Sequence, residues 1–521
     1  MMFEASLTRS HPWLASILLP LAIICYVLPK IKAFRRFLVW LIKNSGVRFT
    51  RTSTTTVLVH PRNVKGESRY ALTAMDCLQA SIPPIAFGLF YDQPIDDYRF
   101  QIALEQTLDH FPLLAGRLIR NSENLDQAPM VVRVNPSEGG AHLAISHTTR
   151  PYSRKDDPRW FPSSTGAPFP APHEPFLDYG PLLKIKVTHV ESNHSAVVSF
   201  GFCHAVMDAT TVGSFLETLT AHYKQFGVND PAKALAHQMV PSMKLDRVLP
   251  PQEENAEPLE RFTTSKLIWS LPKLVIASTL TKTINLTVEK SELQRLKGEF
   301  MQAASGSDLP WVSTYEMLGV LLLRAFTRVS KKLDGTHHYK NIECRCVVDP
   351  RTRQANPHAT FTHPGNVSEM PSIQLPLEHL LHPEWQSRGL QEFHSQLRAS
   401  LVDSSKMTEI YRRANASLRN GDLHTTGGRT MSSLLFARNI LETNVTSYNS
   451  WLHMDWLGSM TTFGDAAPHH FQVTPGMCCV DMFWVFPRTP TQVTIRTTLP
   501  RGKGRLFLQE LTRMNIAYQV Q

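Results

Sequence analysis

The 521 residues contain no Cys-x-x-Cys pair, no histidine pair at zinc-finger distance from cysteines and no internal repeat at a solenoid period. The seven cysteines, Cys25, Cys77, Cys203, Cys344, Cys346, Cys478 and Cys479, are odd in number and lack framework spacing. That excludes a disulfide scaffold and favours a reducing compartment. No metal site and no permanently bound cofactor is expected from such a chain. No low-complexity tract occurs either, and 42% hydrophobic with 19% charged residues is an ordinary globular composition, which excludes disorder. The length has room for two to four domains and a large core.

The net charge of +10 would suit a nucleic-acid partner were it spread over a globular face. It is not. Lys30, Lys32, Arg35, Arg36, Lys43, Arg48 and Arg51 follow one another with no acid between Lys30 and Arg51. They adjoin an uncharged apolar run, Pro12 to Pro29, close to the length of about 20 residues that crosses a bilayer. No small-x-small cleavage pattern follows, so an uncleaved membrane anchor is expected rather than a signal peptide. The mixed segment Ala33 to Lys43 suits an amphipathic helix in the interface. A membrane surface, not nucleic acid, is therefore the expected macroscopic partner.

Globular sequence begins near Thr54. An apolar strand pattern, Ile85 to Tyr91, precedes a helix over Tyr98 to His110 with Ile102, Leu104 and Leu108 on its apolar face. Pro151 to Pro181 is proline-rich and reads as an irregular loop. Leu183, Ile185 and Val187 alternate with Lys184, Lys186 and Thr188, the pattern of a half-buried strand. Gly227 to Arg261 is polar and proline-bearing, as a linker between two halves would be. Beyond it come a strand, Lys282 to Val288, then a helix capped by Ser291. A further helix starts near Trp311, and strands follow at Ile342 to Val348, Cys479 to Phe486 and Gln492 to Thr498. Strands and helices alternating in two similar halves indicate a mixed α/β architecture.

One stretch carries chemistry. Ala196 to Phe202 is a buried-strand run that ends at His204, and a helix pattern begins near Thr210 with Phe215, Leu219 and Tyr223 on one face. Among the 22 histidines, His204 alone has an aspartate, Asp208, four residues on. An imidazole at a strand-to-helix break is placed to reach a cleft, where it can take a proton from a hydroxyl near neutral pH. Asp208 can fold back to hold that turn, or simply cap the helix beside a structural histidine. Cys203, ending the strand, reads as a small apolar residue.

In this order, Leu72-Thr73-Ala74-Met75-Asp76, Phe111-Pro112-Leu113-Leu114-Ala115-Gly116-Arg117, His204-Ala205-Val206-Met207-Asp208, Ser313-Thr314-Tyr315-Glu316-Met317-Leu318, Asp349-Pro350-Arg351-Thr352-Arg353 and Gly365-Asn366 occur. Together they resemble the BAHD-type acyl-CoA-dependent acyltransferases, in particular their fungal trichothecene O-acetyltransferase-like members. The resemblance implies two chloramphenicol-acetyltransferase-like domains with a channel between them, over 54–245 and 271–521. A linker at 246–270 would join them, and the anchor and basic segment would occupy 1–53. It implies His204 as general base and Asp208 as a geometry-holding residue paired with Arg351, or next with Arg353. Acyl-CoA, most simply acetyl-CoA, would be the co-substrate, and a small hydrophobic hydroxylated metabolite such as a terpenoid or polyketide the acceptor. Thr446 and Ser447 resemble the family's Thr-Ser-Trp channel segment, with Tyr448 in place of Trp. The family's Asp-Phe-Gly-Trp-Gly motif is degraded. Thr462-Phe463-Gly464-Asp465 is the closest match, giving Phe463 and Gly464 as further channel candidates, and Asp455-Trp456-Leu457-Gly458 competes with it.

Two other readings stay open. A carrier-protein-dependent condensation-type enzyme usually shows His-His before the spacer, whereas Cys203 stands there. A catalytically inactive membrane-bound binding protein would explain the degraded motif. The basic residues after Pro29 imply a single-pass anchor with the globular part in the cytosol; an endoplasmic-reticulum location and a monomeric state are also expected. Five sequons, at Asn193, Asn285, Asn366, Asn415 and Asn444, offer a check on that topology.

Overall fold

The structure, a computed structural model, describes residues 52–64, 66–72, 76–77, 84–120, 130–149, 180–226, 281–306, 311–334, 339–349, 370–402, 413, 416, 444–474 and 481–520. The apolar run Pro12–Pro29, its basic flank, the 246–270 linker, Arg351, Arg353 and Gly365-Asn366 lie outside those residues. Among the described residues no helix is long and apolar enough to cross a membrane.

The first half supplies β1 (Thr52–Val59), β2 (Ser68–Ala71), β3 (Ile85–Tyr91), helix α1 (Asp97–His110) and β4 (Arg117–Arg120). It continues through β5 (Met130–Val134), β6 (Ala141–Thr148), β7 (Leu183–Val190), β8 (Ser195–Phe202) and helix α2 (Ala209–Gln225). The second half begins with β9 (Thr281–Glu289), α3 (Lys290–Ala303), α4 (Thr314–Asp334), β10 (Asn341–Cys346) and β11 (Ser372–Pro376). Then come α5 (Leu377–Leu381), α6 (Trp385–Val402), β12 (Val445–Ser450) and β13 (Pro468–Val473). β14 (Met482–Thr489), β15 (Gln492–Pro500), α7 (Arg501–Arg513) and β16 (Gln519–Val520) complete it.

These strands form a six-stranded sheet ordered β1-β6-β7-β8-β3-β13, a seven-stranded sheet ordered β11-β10-β12-β14-β15-β9-β16, and a small sheet β2-β5-β4. β3 and β8 are buried along their whole length, which is why Ile85–Tyr91 and Ser195–Phe202 are continuous apolar runs rather than alternating ones. The mixed α/β class expected from the sequence is what these sheets and helices form.

Three local expectations change. β7 is not half-buried in the alternating sense: Lys184 is only 6% exposed and Thr188 3% exposed, so the strand is largely covered on both faces. Ser291 does not cap α3. β9 runs straight into the helix, the cap position falls on Glu289, and the Lys290 amide donates to the Thr491 carbonyl instead. The helix expected from Trp311 begins at Thr314 and extends to Asp334.

The six-stranded sheet takes one of its strands from far along the chain. β13 pairs antiparallel with β3, matching Phe471 to Leu89 and Val473 to Phe87. The first core accordingly includes Trp451, Trp456, Phe463, Phe471 and Phe486 beside Phe87, Phe200 and Phe202. A second core lies on the seven-stranded sheet around Leu286, Phe300, Leu322, Phe326 and Phe483. Arg496 of β15, 1% exposed, donates to the carbonyls of Val473 (3.1 Å) and Thr474 (2.8 Å), so the seven-stranded sheet holds the end of β13. Ser53–Gln521 forms one compact unit.

Candidate active site

The Cys203 amide continues the pairing of β8 with β7 by donating to the Leu182 carbonyl (2.8 Å), and the backbone then turns, the Val206 amide donating to the Cys203 carbonyl (3.1 Å). Asp208 then caps α2. In extended geometry, its carboxylate accepts from the Thr211 amide (3.0 Å) and the Thr211 hydroxyl (2.9 Å), satisfying helix donors that would otherwise lack partners. Every residue from Ser195 to Asp208 is buried except His204. The turn therefore offers one titratable side chain to its surroundings, the imidazole. Cys203 offers none, since burial pushes its thiol up to about 11 and leaves it without a thiolate near neutral pH.

Next to the helix that follows this turn lies a cavity of about 600 Å³, whose lining begins at Thr210 and does not include His204 itself. Thr210, Gly213, Ser214 and Glu217 line it from the first turns of α2, Tyr315 and Glu316 from α4, and Leu397, Arg398 and Leu401 from α6. Val347, Val348 and Asp349 close it after β10, Ser450 from the end of β12, and His453 and Met454 just beyond it. The cavity thus lies where helices on the two sheets meet. The Thr210 hydroxyl donates to the Asp349 carboxylate. That contact brings the start of Asp349-Pro350-Arg351-Thr352-Arg353 against the first turn of α2, next to Asp208. The pairing of Asp208 with Arg351 or Arg353 itself falls outside the described residues.

Ser313-Thr314-Tyr315-Glu316 is a capping box. The Glu316 amide donates to the Ser313 hydroxyl (3.1 Å) and the Ser313 amide to the Glu316 carboxylate (3.1 Å). Glu316 is 1% exposed and also meets His394 Nδ1 at 2.8 Å, which fixes this wall of the cavity. The segment shapes the pocket by holding α4.

The other candidates separate. Thr446 and Ser447 are buried within β12, the Thr446 hydroxyl donating to the Asp481 carbonyl, and neither lines the cavity. Phe463 is packed in the first core against Tyr91, Phe100 and Tyr223. Gly464 sits at φ +63° in a tight turn closed by reciprocal Phe463–Ala466 backbone bonds of 3.0 Å, the position a type II′ turn reserves for glycine. Trp456 of the competing segment is likewise buried, its indole donating to the Trp451 carbonyl (3.0 Å). Phe463 and Gly464 of the closest match are thus structural, whereas Asp455 of the competing segment lines the cavity.

Several cavity residues carry no sequence motif, and two of them bear on the chemistry. Ser450 lines the pocket three residues beyond Ser447, and Asn449-Ser450-Trp451 keeps the tryptophan of the Thr-Ser-Trp pattern that Thr446-Ser447-Tyr448 lacks. His453 also lines it. Desolvation lowers its pKa from the ordinary value, with the charge of Asp349 and a backbone hydrogen bond at Ser450 acting the other way. No spacing signal marks His453; only the fold brings it to the cavity.

Comparison with known proteins gives three findings. Residues 172–438 match the model of the Transferase family. TRI101 of F. graminearum complexed with ethyl coenzyme A superposes with a TM-score of 0.60 at 15% identity, covering 87% of this chain and 99% of that one. The same protein with coenzyme A and T-2 mycotoxin gives 0.59 at 16% identity over 87% and 99%, and vinorine synthase 0.57 at 15% over 88% and 96%. No curated protein matches the sequence.

Proposed function

The chain belongs to the Transferase family of BAHD-type acyltransferases, and from that membership we propose that it moves an acyl group, most simply acetyl, from acyl-CoA to a hydroxyl of a hydrophobic small molecule. The observation that carries the proposal is the single partly exposed imidazole of His204 in an otherwise buried turn, at the head of the helix that lines the cavity. His204 takes the proton of the acceptor hydroxyl as its oxygen attacks the thioester carbonyl. Collapse of the tetrahedral intermediate releases the CoA thiolate, which takes the proton back from the imidazolium. Asp208 acts on this chemistry by fixing the turn. Ser450, at the cavity wall, is our candidate donor of a hydrogen bond to the developing oxyanion.

The acceptor class rests on the chain's own features as well as on relatives. Solved relatives hold coenzyme A and T-2 mycotoxin, and an apolar run at the N-terminus would bring the enzyme to a membrane where apolar acceptors concentrate. We place that anchor in the endoplasmic reticulum, with residues 54–521 in the cytosol, because the basic residues follow the run.

The test is a CoA-release assay with acetyl-CoA and pooled hydroxylated acceptors. Wild type should release CoA only with an acceptor present. His204→Ala should lose at least about 10²-fold in kcat, the usual contribution of a general base, with CoA binding retained. Retention of a third of the wild-type kcat would refute the assignment of His204. A matching loss in His453→Ala alone would move the base to His453, the histidine among the cavity's lining residues.

A further inference from the structure

A second cluster of ligand-type side chains lies away from the cavity. β6 and β7 run parallel, and their register sets His147 directly beside His189. In a parallel pair, opposed residues project from the same face about 5 Å apart, so the backbone alone commits two imidazoles to one spot. Their rings stack with centroids 4.9 Å apart and planes 21° apart. Asp97, in the first turn of α1, reaches the same spot from the helix packed over this sheet, its carboxylate 2.7 Å from His189 Nε2. One ligand atom from each of Asp97, His147 and His189 lies within 4.8 Å of the other two.

We propose that Asp97, His147 and His189 form a three-ligand site for a divalent first-row transition metal such as zinc. Two imidazoles and one carboxylate are the donor set such ions prefer, and calcium or magnesium would call for more oxygen ligands. Around an ion held at about 2.0–2.1 Å, ligand atoms stand roughly 3 Å apart, so a shift of about 1 Å in side chains draws the three together. Access is open. His147 is exposed, and the His189 and Asp97 side chains are 13% and 33% exposed, which leaves the fourth position to water or another ligand. None of the three lines the cavity, so the site is separate from acyl transfer. An ion there would join α1 to two strands of the six-stranded sheet and raise stability by mass action. The absence of any metal-ligand spacing in the sequence is consistent with this, since the ligands come from three elements.

Titration of the full-length, tag-free protein with Co²⁺ and Zn²⁺ at pH 7.5 tests the proposal. Wild type should bind saturably, show Co²⁺ d–d absorption bands and gain melting temperature with Zn²⁺. His147→Ala, at an exposed position, should fold normally and lose at least about 10-fold in affinity, and Asp97→Asn should do the same. Wild type without saturable binding up to millimolar metal, or variants that bind as wild type does, would overturn it.

Discussion

Lys184 gives the most quantitative handle on the fold. Its side chain sits in β7, 6% exposed, and burial together with the nearby Arg117 guanidinium brings its ammonium down from 10.5 to about 8. Because the folded pKa lies below the unfolded one, the unfolded chain holds the proton more tightly. The cost is fully present below pH 8 and disappears as pH rises from about 8 toward 10.5. At about 1.4 kcal/mol per pH unit, the fall to about 8 sets a ceiling near 3 kcal/mol on that cost. Lys184→Met keeps most of the volume, removes the charge and relieves repulsion on Arg117, which itself donates to the Gly116 and Gly140 carbonyls. Allowing for repacking, the variant should gain about 1–2 kcal/mol at pH 7. The measurement is urea unfolding of both proteins at pH 7, 8, 9 and 10. The gain should be flat to pH 8 and then shrink. A variant less stable at pH 7, or a difference independent of pH, would refute the buried-charge account.

Asp208→Ala removes the cap of α2 and the acceptor for the Thr211 hydroxyl, which should cost about 2 kcal/mol in denaturant unfolding. It should also lower kcat, since the His204 turn loses its anchor; an unchanged midpoint would mean the cap is dispensable. Topology is checked by endoglycosidase treatment of the expressed full-length protein. Asn193, exposed in the turn between β7 and β8, is an accessible sequon, so a gel shift there would place the globular part in the lumen rather than the cytosol.

The sequence by itself determined what is local. A run of apolar residues ended by His204, then Asp208, then a 3.6-residue apolar period, specifies a buried strand, a turn and a capped helix. The structure has each of them in that order. The capping box at Ser313–Glu316 and the turn at Gly464 are of the same kind, because their partners lie within four residues. Tertiary structure decided everything that depends on which distant strand arrives beside which. β13 joins β3 from the far half of the chain, which is why Phe463 belongs to an aromatic core and not to a channel wall. Lys184 is buried, with Arg117 nearby, on the face of β7 where alternation alone predicted solvent. His453 reaches the cavity, and His147 meets His189, only through sheet register and helix packing. Periodicity reports which face of an element is apolar; it carries no information on which element will cover that face.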